Sequence, residues 1–221
     1  MSSENKLIFG TVIATIIFIG LIFIFIFSTS DNKELNTETI HEFLIRDDTY
    51  LDGNPNASIS LVVFEDFQCP ACQIYNIDII KIRQEFSNDI KFAFRHYPII
   101  NIHQNALIAS LAAESAGAQS LFYKYADLLY EKQEEWSDLD SNDKIIDLFI
   151  NYAKELGVKD LAKFKNDILN KTYENKINRD VEDGNSIGIN ATPTIFLNDK
   201  QIYNPTYDNI KKEILQILNN Q

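Results

Sequence analysis

Cysteine is scarce in this 221-residue chain: there are two, Cys69 and Cys72, three apart with Pro70 and Ala71 between them. So small a count excludes a disulfide framework, and in an oxidising compartment a chain without stray thiols avoids wrong pairing. Histidine is almost as rare, at three, and His96 and His103 stand seven apart, outside the usual spacing of a zinc-binding pair. With no second cysteine pair, a structural zinc site would have to gather its ligands from scattered positions. Basic residues are also in deficit, 20 Lys+Arg against 32 Asp+Glu, for a formal net charge of -12. That field repels phosphate backbones and argues against nucleic acid as a partner. There is no internal repeat and no low-complexity tract. What the chain does have is 45% hydrophobic and 24% charged residues, which suits one or two globular domains with a sizeable core.

One long apolar run stands at the start. Leu7 to Phe27, LIFGTVIATIIFIGLIFIFIF, is 21 positions without a charge. At about 1.5 Å per residue, a helix of that length spans roughly the 30 Å core of a bilayer. A cleaved signal peptide is the alternative, with Ser28 and Ser30 as small residues at the cleavage site, but its apolar region usually runs only about 7 to 15 residues. The expectation is a single membrane anchor over residues 1–27. Lys6 and the amino terminus precede the run, while Asp31, Glu34 and Glu38 follow it, which places the rest of the chain outside the cytoplasm. A polar tether over 28–39 and a folded domain over 40–221 complete the expected organisation.

Within that domain, Leu61 to Phe64 in SISLVVFEDF is a continuous apolar run, as expected of a strand buried on both faces. Ile74, Ile77, Ile80, Ile82 and Phe86 then fall at roughly helical spacing, and KFAFRHY reads as the next strand, giving β-α-β with a parallel pair. From about 98 to 187 the pattern is helical, broken by turn and capping signals. TPTIFLN and KQIYN about Asn198-Asp199 suggest a hairpin, and YDNIKKEILQILNNQ an amphipathic closing helix.

On this frame the strand ends near Phe67 and the helix begins near Cys69. Pro70 then occupies the first helical position, where its missing N–H costs nothing and its φ is already helical. Cys69 becomes the N-cap, able to accept from the N–H groups of Ala71 and Cys72, and the helix dipole favours a negative charge there. Cys72 lies one turn on, close enough to close a disulfide but deeper. Three readings of the pair compete. A structural staple across four residues gains about 2 kcal/mol, against roughly 4.7 for a loop of a hundred. A metal site is open mainly to Cu(I), which thiolates select. A redox centre is the third.

The residues resemble a membrane-anchored, DsbA-like thiol-disulfide oxidoreductase of the thioredoxin superfamily. LDGNPNASISLVVFEDFQCPAC is similar to that group's first strand and active-site turn, FAFRHYPIINIHQNALIASLAAESAGAQ to its next strand and first inserted helix, and GINATPTIFLND to its cis-proline loop. The resemblance implies an α/β thioredoxin fold with a helical insertion. It makes Cys69 the nucleophile and Cys72 the resolving cysteine, tuned by Pro70 and Ala71. It sets Thr192 and Pro193 opposite them, joined by a cis bond. It also implies that cysteine-containing exported proteins are the substrates, that a redox partner recycles the enzyme, and that no metal or organic cofactor is needed. Oxidation of substrate dithiols is the expected direction. Isomerase or reductase activity, and a Cu(I)-handling module on the same two thiols, are the alternatives.

One departure stands out. Many relatives carry a buried acid six residues before the first cysteine, where this chain has Val63. Glu65 or Asp66 would substitute if the strand end turned one of them inward, but both are expected at the surface. His103, His96 and His41 are expected to pack or cap rather than catalyse. Among the aromatics of the inserted block, Phe122 and Tyr125 read as core at helical spacing, Tyr123 and Tyr130 as core or groove lining, and Trp136 stays open among acidic neighbours.

Overall fold

A five-stranded sheet of order β1-β3-β2-β4-β5 organises the computed structural model, which describes residues 37–220 and, before them, only Phe18, Gly20 and Ile22. The anchor expected over 1–27 therefore lies outside the described residues, apart from those three positions. Among the described residues no helix is long and apolar enough to cross a membrane. The chain divides into two units, Met1–Asn36 and Thr37–Gln221, and the second carries every element named here.

That unit opens with α1 (Thr37–Leu44), whose first turn falls inside the stretch read as tether. Then come β1 (Leu51–Gly53), β2 (Ile59–Glu65), α2 (Pro70–Glu85) and β3 (Ile90–His96). Six helices follow before the sheet resumes: α3 (Ala106–Gly117), α4 (Phe122–Glu131), α5 (Gln133–Trp136), α6 (Asn142–Glu155), α7 (Leu161–Leu169) and α8 (Glu174–Ser186). The chain ends with β4 (Thr194–Leu197), β5 (Lys200–Ile202) and α9 (Tyr207–Leu218). β2 runs parallel to β3 and antiparallel to β4, and β4 and β5 form the expected hairpin, with Asn198 at φ 52. This is the thioredoxin arrangement with its helical insertion.

The apolar run of β2 is explained by its central place, with all seven residues buried. Successive side chains point to opposite faces. Ile59, Leu61 and Val63 therefore meet Ile79 and Ile82 of α2 and the inserted helices, while Val62 and Phe64 meet Leu44 of α1, Phe196 and Tyr97. On the second face α8 lies close against the sheet: a Cβ on Gly184 would stand 3.0 Å from the Tyr97 ring. Buried Arg95 fastens this layer, donating to Asp180 (2.9 Å), Asp183 (2.6 Å) and the carbonyls of Phe43 and Leu44.

The spacing on α2 predicts its buried face only in part. Ile79 and Ile82 are buried, whereas Ile74 and Ile77 are 67% and 60% exposed. They form one wall of a groove of about 400 Å³ shared with Gln73, Tyr130 and Glu131. The spacing carries no information on which side of the helix the neighbouring elements cover.

Candidate active site

β2 delivers the chain to the cysteines. It ends at Glu65, a turn follows, and α2 starts at Pro70 with Cys69 as N-cap in extended conformation (φ -70, ψ 121). The turn is clasped from both sides. Gln133 Nε2 donates to the carbonyls of Phe67 (2.7 Å) and Cys69 (3.1 Å). Gln68 donates to the Ser137 carbonyl (2.7 Å) and accepts from the Asn105 N–H (2.7 Å). The helical insertion thus fixes the rim from which Cys69 emerges.

Both cysteines are free thiols. Cys69 is 8% exposed and Cys72 0%, so the first sulfur is the one a substrate can reach. Across from it, Thr192 and Pro193 are joined by a cis bond, and the Cys69 thiol donates to the Thr192 carbonyl at 3.5 Å. Pro70 is exposed and Ala71, Thr192 and Pro193 are partly buried, so the six residues picked out from the sequence lie around one pair of sulfurs.

The two sulfurs are electrostatically unequal. Cys69 is lowered to about 5, chiefly because the Cys72 thiol donates to it; burial opposes this, and the Thr192 hydroxyl and the N–H groups of Cys72 and Ala71 add to the lowering. As a thiol, Cys69 makes no capping hydrogen bond of ordinary length, so the backbone contribution ranks behind that of Cys72. Burial pushes Cys72 well above the usual thiol range, and its hydrogen bond to Cys69 holds its proton further. Thr192 Oγ1 is buried without a hydrogen-bond partner, a donor left over for a thiolate.

Glu65 and Asp66, expected at the surface, are 1% and 0% exposed, and that expectation is corrected. Side chains two apart on a strand share a face. Glu65 therefore lies on the Val63 side of β2, one step nearer the cysteines than the missing acid. Desolvation raises it to about 8, only partly offset by the Tyr130 hydroxyl. Neither Glu65 Oε1 nor the Tyr130 hydroxyl completes a hydrogen bond of normal geometry. Strand alternation from Val63 was the signal in the sequence that could have found Glu65. Asp66 turns inward for another reason: its carboxylate accepts the N–H groups of Gln68 and Ile99, both at 2.8 Å, and His103 Nδ1 at 2.7 Å.

Of the remaining candidates, Tyr130 faces Glu65 and the sulfurs, and the others serve elsewhere. His96 is buried against Glu114 (2.9 Å) and the rings of Phe67, Phe94 and Phe122, and His41 meets Asp199 at the surface. Phe122, Tyr125, Tyr130 and Trp136 are buried, with Trp136 Nε1 donating to the Leu129 carbonyl, and Tyr123 is partly buried. They are core, Tyr130 also lining the groove beside Ile74 and Ile77, and Trp136 sits beneath its acidic neighbours rather than among them. Among the described residues no group of three or more His, Cys, Asp or Glu side chains is placed to hold a metal ion.

Comparison with known proteins agrees with this geometry. The Thioredoxin family matches residues 46–216. The chain is 27% identical over 227 residues to a probable disulfide bond formation protein D of Bacillus anthracis, covering 97% of each. It is 31% identical over 160 residues to a Na(+)/H(+) antiporter NhaA 1 of Mycolicibacterium gilvum, covering 71% of this chain and 24% of that one, so it spans about a quarter of the length of such relatives. Among solved structures, oxidised BdbD from Bacillus subtilis has a TM-score of 0.66 at 29% identity, covering 76% of this chain and 91% of BdbD. The alpha-DsbA2 protein of Wolbachia pipientis has a TM-score of 0.67 over 82% of this chain and 97% of its own, a likeness of fold at 19% identity. Matched from residue 46 to residue 216, and carrying its paired cysteines at the strand-to-helix turn opposite a cis-proline, the chain belongs to the thioredoxin family and is DsbA-like in build.

Proposed function

We propose that the chain is an extracytoplasmic protein thiol-disulfide oxidoreductase that introduces disulfides into exported proteins. The observation that carries this reading is the inequality of the two sulfurs: Cys69 stands at the start of α2 opposite the cis-proline, where its pKa falls to about 5, and Cys72 lies fully buried behind it and keeps its proton. In the oxidised enzyme, a substrate thiolate attacks Cys69, and the Cys69–Cys72 bond breaks with its electron pair on Cys72. The neutral Glu65 carboxyl supplies the proton that Cys72 takes up. A second substrate thiol then gives up its proton, which by way of solvent restores the Glu65 carboxyl, and attacks the substrate sulfur of the mixed disulfide, releasing Cys69 as a thiolate. The substrate loses two electrons and the enzyme gains them. A low thiol pKa makes Cys69 a good leaving group in that last step. The apolar run over 7–27 supports a membrane anchor holding the domain outside the cytoplasm, with a second redox protein reoxidising the pair.

Trapping tests the division of labour. Cys72→Ala is expected to accumulate mixed disulfides with substrates, since nothing resolves them from the enzyme side, whereas Cys69→Ala forms few. Equal trapping by both variants would sink the assignment.

A further inference from the structure

We propose that Asp66 and His103 form a positioning pair that sets the redox poise of the cysteines, an inference that rests on the oxidoreductase reading above. Asp66 touches both halves of the centre through its backbone. Its carbonyl accepts the Cys69 N–H at 3.0 Å, and its own N–H faces the Cys72 sulfur. The orientation of those two peptide groups depends on the side chain they share, and that side chain is fully buried. Oδ1 takes the Gln68 N–H and tightens the turn. Oδ2 takes the Ile99 N–H and His103 Nδ1, both from the loop after β3.

Because a carboxylate only accepts, Nδ1 is the protonated nitrogen of His103 in this contact. The imidazole is 15% exposed, so its body packs at the rim while Nδ1 reaches the buried acid. Losing this donor has two consequences of the same sign. The Asp66 carboxylate, left with two backbone donors, is less neutralised, and the peptide groups through which Asp66 meets Cys69 and Cys72 are held less well for a thiolate. The turn that presents Cys69 also loses its side-chain tie to the loop 99–103 and is held there by the Ile99 N–H alone. Both make the reduced pair less favourable, hence the oxidised pair less oxidising.

Asparagine provides the discriminating replacement, since its Nδ2 stands the same number of bonds from Cβ as Nδ1 of histidine. The full chain, as wild type, His103→Phe, His103→Ala and His103→Asn, is equilibrated with glutathione buffers and the thiol-disulfide equilibrium constant is read for each. Only part of the strength of a hydrogen bond to a charged group reaches the sulfurs. His103→Phe and His103→Ala should therefore shift the constant toward the disulfide roughly threefold to tenfold, while His103→Asn stays within about twofold of wild type. If Phe fails to fold, by circular dichroism, Ala carries the comparison. Unchanged constants in Phe and Ala, or a shift in Asn as large as theirs, would overturn the proposal while leaving the oxidoreductase reading in place. A wild-type pair that does not exchange with glutathione at all would instead refute that reading, and the positioning role with it.

Discussion

Replacing Glu65 by glutamine tests the buried acid directly, because the amide keeps the shape and cannot ionise. In the folded protein Glu65 moves from 4.5 to about 8. A carboxyl raised on folding binds its proton more tightly in the native state than in the unfolded chain. Wild-type stability should therefore fall as pH rises from about 4.5 to about 8, and level off above. At pH 7 the gap is 2.5 pH units, which at about 1.36 kcal/mol each sets a ceiling of about 3.4 kcal/mol on the penalty. Polar groups that reorient around the ionised carboxylate offset part of this, and about 2 kcal/mol is the expected size. Urea denaturation of the reduced protein at a series of pH values is the assay. Glu65→Gln should match wild type near pH 4 and exceed it by about 2 kcal/mol at pH 7 to 8. The variant should also slow release of Cys72 from the disulfide, since the amide has no proton to supply. Parallel stability curves for the two proteins across this range would refute the raised acid.

Thr192→Val removes the buried hydroxyl aimed at the sulfurs, and the Cys69 titration, followed by thiolate absorbance, should rise by about half a unit to one unit; no rise would remove Thr192 from the thiolate's partners. Arg95→Ala leaves Asp180 and Asp183 without their buried cation, and a loss of about 3 to 5 kcal/mol in denaturation at pH 7 is expected. A loss below about 1 kcal/mol would mean that Arg46 on Asp183 and the His96 N–H on Asp180 sustain the carboxylates without it.

The parts of the molecule legible in the sequence were those set by short-range rules. The apolar run of β2, proline at the first helical position and the two strands about Asn198 each follow from local chemistry, and together they place Cys69 at a helix start with Cys72 beneath it. The misreadings concern burial imposed from afar. Glu65 and Asp66 look like solvated charges until Tyr130 of α4 and His103 of the loop after β3, far along the chain, close over them. Trp136 and its acidic neighbours read as ambiguous because a four-residue helix carries too little periodicity to show which side is covered. Ile74 and Ile77 err the other way: their spacing fits a buried stripe, but among the described residues no element packs over that part of α2.

The reduction potential of the Cys69–Cys72 pair against glutathione at pH 7 tests the central claim most directly. A thiolate with a pKa of about 5 stabilises the reduced pair by at most about 2.7 kcal/mol over thiols that stay protonated. Solvent reaching the sulfur trims this to about 2. The effect grows above pH 5 and vanishes below it, since only ionisation beneath the ambient pH counts. For a two-electron couple it is worth about 45 mV, and Glu65, mostly neutral at pH 7, subtracts little. Added to the roughly -270 mV of thioredoxin, this predicts a potential of about -225 mV or more positive. A value at or below about -270 mV would contradict the oxidase and leave a reductase in its place.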